Sequence, residues 1–195
     1  MELILIRHGL PETVVREDGQ PADAPLSIEG RLQAERMAGW LADEEISRVY
    51  ASPLARARQT AAPLAGTLGL EIEIDDGVAE YDRNSHSYVP LEEVRRTDRE
   101  RYREMMRTNA FGGDNPQAFR ATVVEALEGI IADNRGARVA VVCHGGVINS
   151  WASKVLKMED VFFFNPTYTS INRFMAAGSG ERTVITLNEH AHLRD

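Results

Sequence analysis

The chain has 195 residues, 43% of them hydrophobic and 27% charged, with a formal net charge of −8 at pH 7. That length and balance suit one globular domain over 1–195 with a core that needs neither disulfides nor metals, and a single cysteine excludes a disulfide framework. The acidic balance argues against sequence-independent nucleic-acid binding, but not against an anionic small molecule gathered by a few arginines in one cleft.

Residues 2–7 read as a strand buried on both faces, because Leu3 to Ile6 are all apolar. This run is far too short for a signal sequence or a membrane span, so the expected location is cytoplasmic with no membrane partner. A loop with Pro11, Pro21 and Pro25 follows, and Ser27 offers a cap for a helix over 29–42. A second strand is predicted at 46–51. Pro53 suits the first turn of a helix to about 68, and Gly69 suits its end. A short third strand is expected at 70–74.

The stretch 75–90 has no usable period. The stretch 91–107 is helix-like but heavily charged, with apolar residues at Leu91, Val94, Tyr102, Met105 and Met106. An amphipathic helix is predicted over 117–134, a strand at 138–143, a helix at 147–155, and strands at 170–176 and 182–188. Alternating strands and helices imply an α/β fold, a three-layer α/β/α sandwich around a mainly parallel sheet. In such sheets the ligand crevice lies beyond the carboxyl ends of the strands. Two apolar strands end there in a histidine and a glycine: Arg7-His8-Gly9 and Cys143-His144-Gly145-Gly146.

Several chemistries fail on these residues. A cysteine phosphatase needs an arginine six residues after its thiolate, and that position holds Asn149. No Gly-Lys phosphate loop, HExxH pair or G-x-S-x-G elbow occurs. His190 and His192 could share one strand face, but with no further ligand evident they read as a terminal, solvent-exposed pair. A histidine nucleophile fits better. It needs fixed cations for a phosphoryl group, a proton donor for the leaving oxygen, and a close backbone approach, which a glycine permits.

Read together, LIRHG, YASPLARARQTA (50–61) and VVCHGG resemble the histidine phosphatase superfamily, the phosphoglycerate-mutase-like proteins. The segments PLSIEGRLQAE, TSINRF and LNEHAHL extend that resemblance over nearly the whole chain. It implies the phosphoglycerate-mutase-like fold and a nucleophile at His8, with Arg7, Gly9, Arg56 and His144 on the phosphoryl group. It also implies Glu80 as the proton donor, with Asp82 as a rival, and no metal or cofactor. Arg58, about 200° around the helix from Arg56, should face solvent, and Cys143 should be a small buried residue.

The chain departs from the family where Tyr81 to Tyr88 replace a Gly-x-Trp-Glu-Gly stretch, and where no asparagine follows Leu10-Pro11-Glu12-Thr13. The Arg-His-Tyr-Gly of the mutases is absent after the glutamate. These features favour a phosphatase of small phosphorylated metabolites over a phosphoglycerate mutase or a non-catalytic phosphate-binding regulator. A segment at about 76–115 is expected over the cleft as a lid, with Arg83, His86 and Tyr88, and also Arg95 and Arg96, as candidate substrate contacts. His86 is the strongest of these by sequence proximity to Glu80. Oligomeric state is not legible; a homodimer through an edge strand or helix face stays open.

Overall fold

The computed structural model describes residues 1–108 and 115–194. A six-stranded sheet runs through it: β1 (Glu2–Arg7), β3 (Arg48–Ala51), β4 (Ile72–Ile74), β6 (Arg138–Cys143), β7 (Ile171–Ala176) and β8 (Arg182–Glu189). Their spatial order is β4-β3-β6-β1-β7-β8. The first four are mutually parallel, and β7 and β8 close one edge antiparallel. A separate ribbon pairs β2 (Val14–Val15) with β5 (Ser87–Tyr88).

Strand side chains alternate between faces, and here the alternation divides one apolar run between two cores. Leu3, Leu5, Val139, Val141 and Phe174 join Leu127 and Trp151 from α5 (Pro116–Asp133) and α6 (Gly145–Val155). Ile4, Ile6, Ala140 and Val142 join Met37 and Leu64 from α1 (Ile28–Trp40) and α2 (Ala55–Leu68). Both faces are covered, which is the expected three-layer sandwich. Central strands without polar positions are the consequence, and the polar residues are pushed to the strand ends.

The helix boundaries have local causes. Ser27 caps α1 by accepting from the Gly30 N–H, a contact worth about 1 kcal/mol in typical helices. Gly69 ends α2 in the left-handed region at φ 67°. The single charged helix expected at 91–107 is two, α3 (Leu91–Thr97) and α4 (Arg99–Thr108). Asp98 leaves helical geometry and its carboxylate accepts from the Arg101 N–H at 2.9 Å, so it stops one helix and caps the next. Residues 109–114, part of the segment read as a lid, lie outside the described residues. Among the described residues, no helix is long and apolar enough to cross a membrane.

Candidate active site

Three parallel strands end at one level. The ladder pairs Arg7 with Cys143 and Ala51 with Val142. It continues one step further, with the His8 N–H donating to the Cys143 carbonyl and the Ser52 N–H to the Val142 carbonyl. His8, Ser52 and His144 therefore leave the sheet side by side. The imidazole centroids of His8 and His144 are 5.1 Å apart. His144 Nε2 lies 2.7 Å from the Ser52 hydroxyl.

His8 is 2% exposed and His144 fully buried. His8 Nδ1 sits 2.8 Å from the Gly9 carbonyl. A carbonyl only accepts, so this contact places the ring proton on Nδ1 and leaves the lone pair on Nε2. Burial, reinforced by the Arg56 and Arg7 charges, holds both imidazoles well below their usual range. They are neutral at pH 7.

Two guanidiniums flank them. Arg7, at the end of β1, donates through Nη1 to the Pro166 carbonyl and to Asn165 Oδ1, and lies 3.9 Å over the Tyr168 ring. Arg56, in the first turn of α2, donates through Nη2 to Asp82 at 3.0 Å and packs over Tyr88. Its neighbour Arg58 is exposed. Arg7 Nε, Arg56 Nε and His144 Nδ1 are buried without hydrogen-bond partners. Orphaned polar atoms are costly in a folded protein, and the Arg7 and Arg56 charges act on both imidazoles.

Glu80 approaches from the loop after the 3₁₀ turn Asp76–Val78. Its Oε2 accepts from the Gly146 N–H at 2.9 Å, in the first turn of α6, and its Oε1 from the Tyr81 N–H at 3.2 Å. Burial, with the Asp82 charge beside it, raises the carboxyl to about 7. A Cβ at position 146 would fall 2.2 Å from Glu80 Oε1, so only glycine leaves room for this carboxyl. Asp82, the rival acid, is engaged with Arg56.

Arg7, His8, Arg56, Glu80 and Tyr88 line one cavity of about 520 Å³. Other sequence expectations are corrected. Gly9 offers no free N–H to an anion, because that group donates to Thr60 Oγ1 at 2.9 Å. Its missing side chain instead admits the Gly30 carbonyl, 2.5 Å from where a Cβ would stand. Arg83 does not line the cavity; it is exposed and paired with Asp76 at 2.8 Å. His86 is exposed too, with Nδ1 against the Gln20 carbonyl. Six residues of turn carry it away from Glu80, so sequence proximity misled. Arg95 and Arg96 face a separate surface groove. His190 and His192 are not a solvent-exposed pair: His192 is buried, with Nε2 3.0 Å from Thr169 Oγ1. Among the described residues no cluster of three metal-ligating side chains occurs.

Other residues that build the site were not singled out from sequence. Ser52 holds His144, and Tyr168 and Pro166 hold Arg7. Arg101, Asp160 and the run Phe162-Phe163-Phe164 complete the lining. The three adjacent phenylalanines stand out in the sequence only by their adjacency, which marks no site.

A buried sheet presenting two neutral imidazoles and two arginines at its strand ends, with a carboxyl held near neutrality, defines a phosphoryl-binding α/β protein. The profile of the histidine phosphatase superfamily (branch 1) matches residues 3–189, and the chain belongs to that family. It is 29% identical to phosphoglycerate mutase-like protein 4 of Arabidopsis thaliana, over 100% of this chain and 87% of that one. It is 31% identical to phosphoserine phosphatase 1 of Hydrogenobacter thermophilus, over 74% of this chain and 71% of that protein. Its fold matches the phosphoserine phosphatase of Entamoeba histolytica, solved with phosphoserine, at a TM-score of 0.77, with 23% identity and 99% of each chain covered.

Proposed function

We propose that the chain is a phosphomonoesterase that hydrolyses a small phosphorylated metabolite through a phosphohistidine at His8, without a metal. The observation that carries this reading is the gathering of His144, Arg56 and Arg7 beside a buried His8 whose Nδ1 meets a carbonyl. Arg7, Arg56 and His144 receive the phosphoryl oxygens. With the Ser52 hydroxyl donating to Nε2, the neutral His144 ring carries its proton on Nδ1 and turns that donor toward the anion. Arginine remains charged and offers forked donors, so charge developing on the transferring group is met without metal assistance.

His8 Nε2 supplies the electron pair for the new N–P bond while the ester P–O bond breaks. The Gly9 carbonyl holds the Nδ1 proton of the cationic phosphohistidine. The leaving oxygen takes its proton from Glu80, which is about half protonated at pH 7. The Glu80 carboxylate then accepts a proton from water as the water oxygen attacks phosphorus. The N–P bond breaks, the lone pair returns to His8, and inorganic phosphate and a protonated Glu80 remain.

A phosphoglycerate mutase is the rival enzyme, favoured by the likeness to phosphoglycerate mutase-like protein 4 and by Arg101, a third cation in the lining. The deciding measurement is hydrolysis of p-nitrophenyl phosphate in excess EDTA, wild type beside His8→Ala. Wild-type turnover survives chelation, and the variant loses it by about 10⁴-fold or more, as nucleophile removal does in other covalent catalysts. Loss of wild-type activity in EDTA overturns the metal-free mechanism. Conversion of phosphoglycerate that depends on a bisphosphorylated primer supports the mutase, and phosphate binding without turnover a regulatory protein.

A further inference from the structure

The cavity is much larger than its phosphoryl end requires. At about 520 Å³ it falls among pockets that enclose drug-sized ligands, roughly 300–1,000 Å³. Beyond Arg7, His8 and Arg56 its lining is mixed: Asp82, Ser85, Ser87, Arg101, Asp160 and Asn165 are polar, and Tyr81, Leu91, Val94 and the three phenylalanines 162–164 form an apolar side. Tyr81 and Phe162 meet edge to face at 6.5 Å between centroids, and Phe163 and Phe164 lie 4.9 Å apart. All three phenylalanines are half-buried.

This wall is held in place from the core. Asn149 on α6 is 2% exposed. Its Oδ1 accepts from the Phe163 and Phe164 N–H groups at 3.0 and 3.2 Å, and its Nδ2 donates to the Phe164 carbonyl at 2.9 Å. The buried amide thus fixes a segment that belongs to no helix or strand, and presents its rings beside the nucleophile. Preorganised aromatic surface binds without a large ordering cost. Of the polar groups of the same lining, the Ser85 hydroxyl donates to the Ser87 carbonyl, Asp82 is paired with Arg56 and Asn149 is committed to backbone, while Arg101 and Asp160 are exposed.

Resting on the phosphatase reading above, we infer that the pocket selects phosphomonoesters of a bulky apolar alcohol, above all one carrying an aromatic ring, over small polar esters such as phosphoserine or phosphoglycerate. The phosphate sits against Arg7, Arg56 and His144, and the ring of the leaving alcohol packs against Tyr81 and the phenylalanine wall.

The test compares 2-phenylethyl phosphate with ethyl phosphate, because both release alkoxides of similar basicity and differ chiefly in the ring. The expected kcat/KM ratio in the wild-type protein is about ten to a hundredfold in favour of the aromatic ester, the usual discrimination of an apolar pocket. Phe163→Ala lowers that ratio severalfold, and Phe163→Leu retains most of it. Equal rates for the two esters, or faster turnover of phosphoserine, overturn the inference and leave the phosphatase reading standing. If no monoester is hydrolysed, the phosphatase reading fails. The pocket is then judged by calorimetric binding of 2-phenylethylphosphonate and ethylphosphonate: tighter binding of the aromatic compound supports it, and equal binding overturns it.

Discussion

On the strand-end side of the cavity, Arg7, His8, Arg56 and His144 are almost wholly buried, each on or next to a regular element of the main fold. On the other side, Tyr88 is carried by a two-residue ribbon, and Glu80 and Asp82 by a turn. α3 and α4 are short and densely charged there, and Phe162 to Phe164 depend on one asparagine. A ladder of parallel strands fixes its ends through many cooperative hydrogen bonds and two cores. A turn is fixed by a few contacts, and its residues are free to differ without disturbing the sheet. The first side suits phosphoryl chemistry, and the second suits choice of substrate.

Changes at the contact between the two sides should have large effects. Glu80→Gln should slow turnover of alkyl phosphates by about 10²–10⁴-fold, the usual contribution of a positioned acid. It should slow p-nitrophenyl phosphate far less, since that leaving group needs little protonation. The alkaline limb of kcat/KM reports the free enzyme. Glu80 must be protonated to donate, and its carboxyl lies at about 7. Activity on alkyl esters should therefore fall as pH rises through about 7, and the limb should vanish in Glu80→Gln. A limb that persists there would falsify the assignment.

Gly146→Ala tests the junction without touching a polar group. Its Cβ would displace the Glu80 carboxyl, so a loss of about 10–100-fold is expected, in keeping with the price of a misplaced catalytic group. Thermal denaturation should show the protein still folded, and a rate within twofold of wild type would mean that Glu80 does not need its contact with α6.

Asp82→Asn should act more gently and in the opposite sense. It releases Arg56 from its ion pair and removes the negative charge that helps raise Glu80. KM should fall severalfold as Arg56 becomes free for phosphate, while the alkaline limb shifts to lower pH. An unchanged limb would show that the two carboxylates are independent.

Arg83→Ala and His86→Ala sharpen the contrast from the bottom of the scale. Both residues belong to the turn-built side but are exposed and tied to Asp76 and Gln20 rather than to the cavity. Rates within twofold of wild type are expected, with stability changed by no more than about 0.5 kcal/mol. A tenfold loss in either would place that residue against the substrate after all.

The sequence by itself determined the sheet's central strands, the order of helices and the strand-end placement of Arg7, His8 and His144. Those features follow from local pattern: an unbroken apolar run must be a doubly buried strand, and its first polar residues must stand where burial stops. Arg56 followed the same logic at the start of α2. Tertiary structure alone decided the rest. Pairing between distant segments built the β2–β5 ribbon that brings Tyr88 over Arg56, and neither two-residue strand has a period to read. Close packing gave Gly9 and Gly146 a reason in the fold, which is the Gly30 carbonyl for one and the Glu80 carboxyl for the other. It also sent His86 outward, and turned Asn149 and three phenylalanines into a wall. These are contacts between residues far apart in the chain, and no local period encodes such a distance.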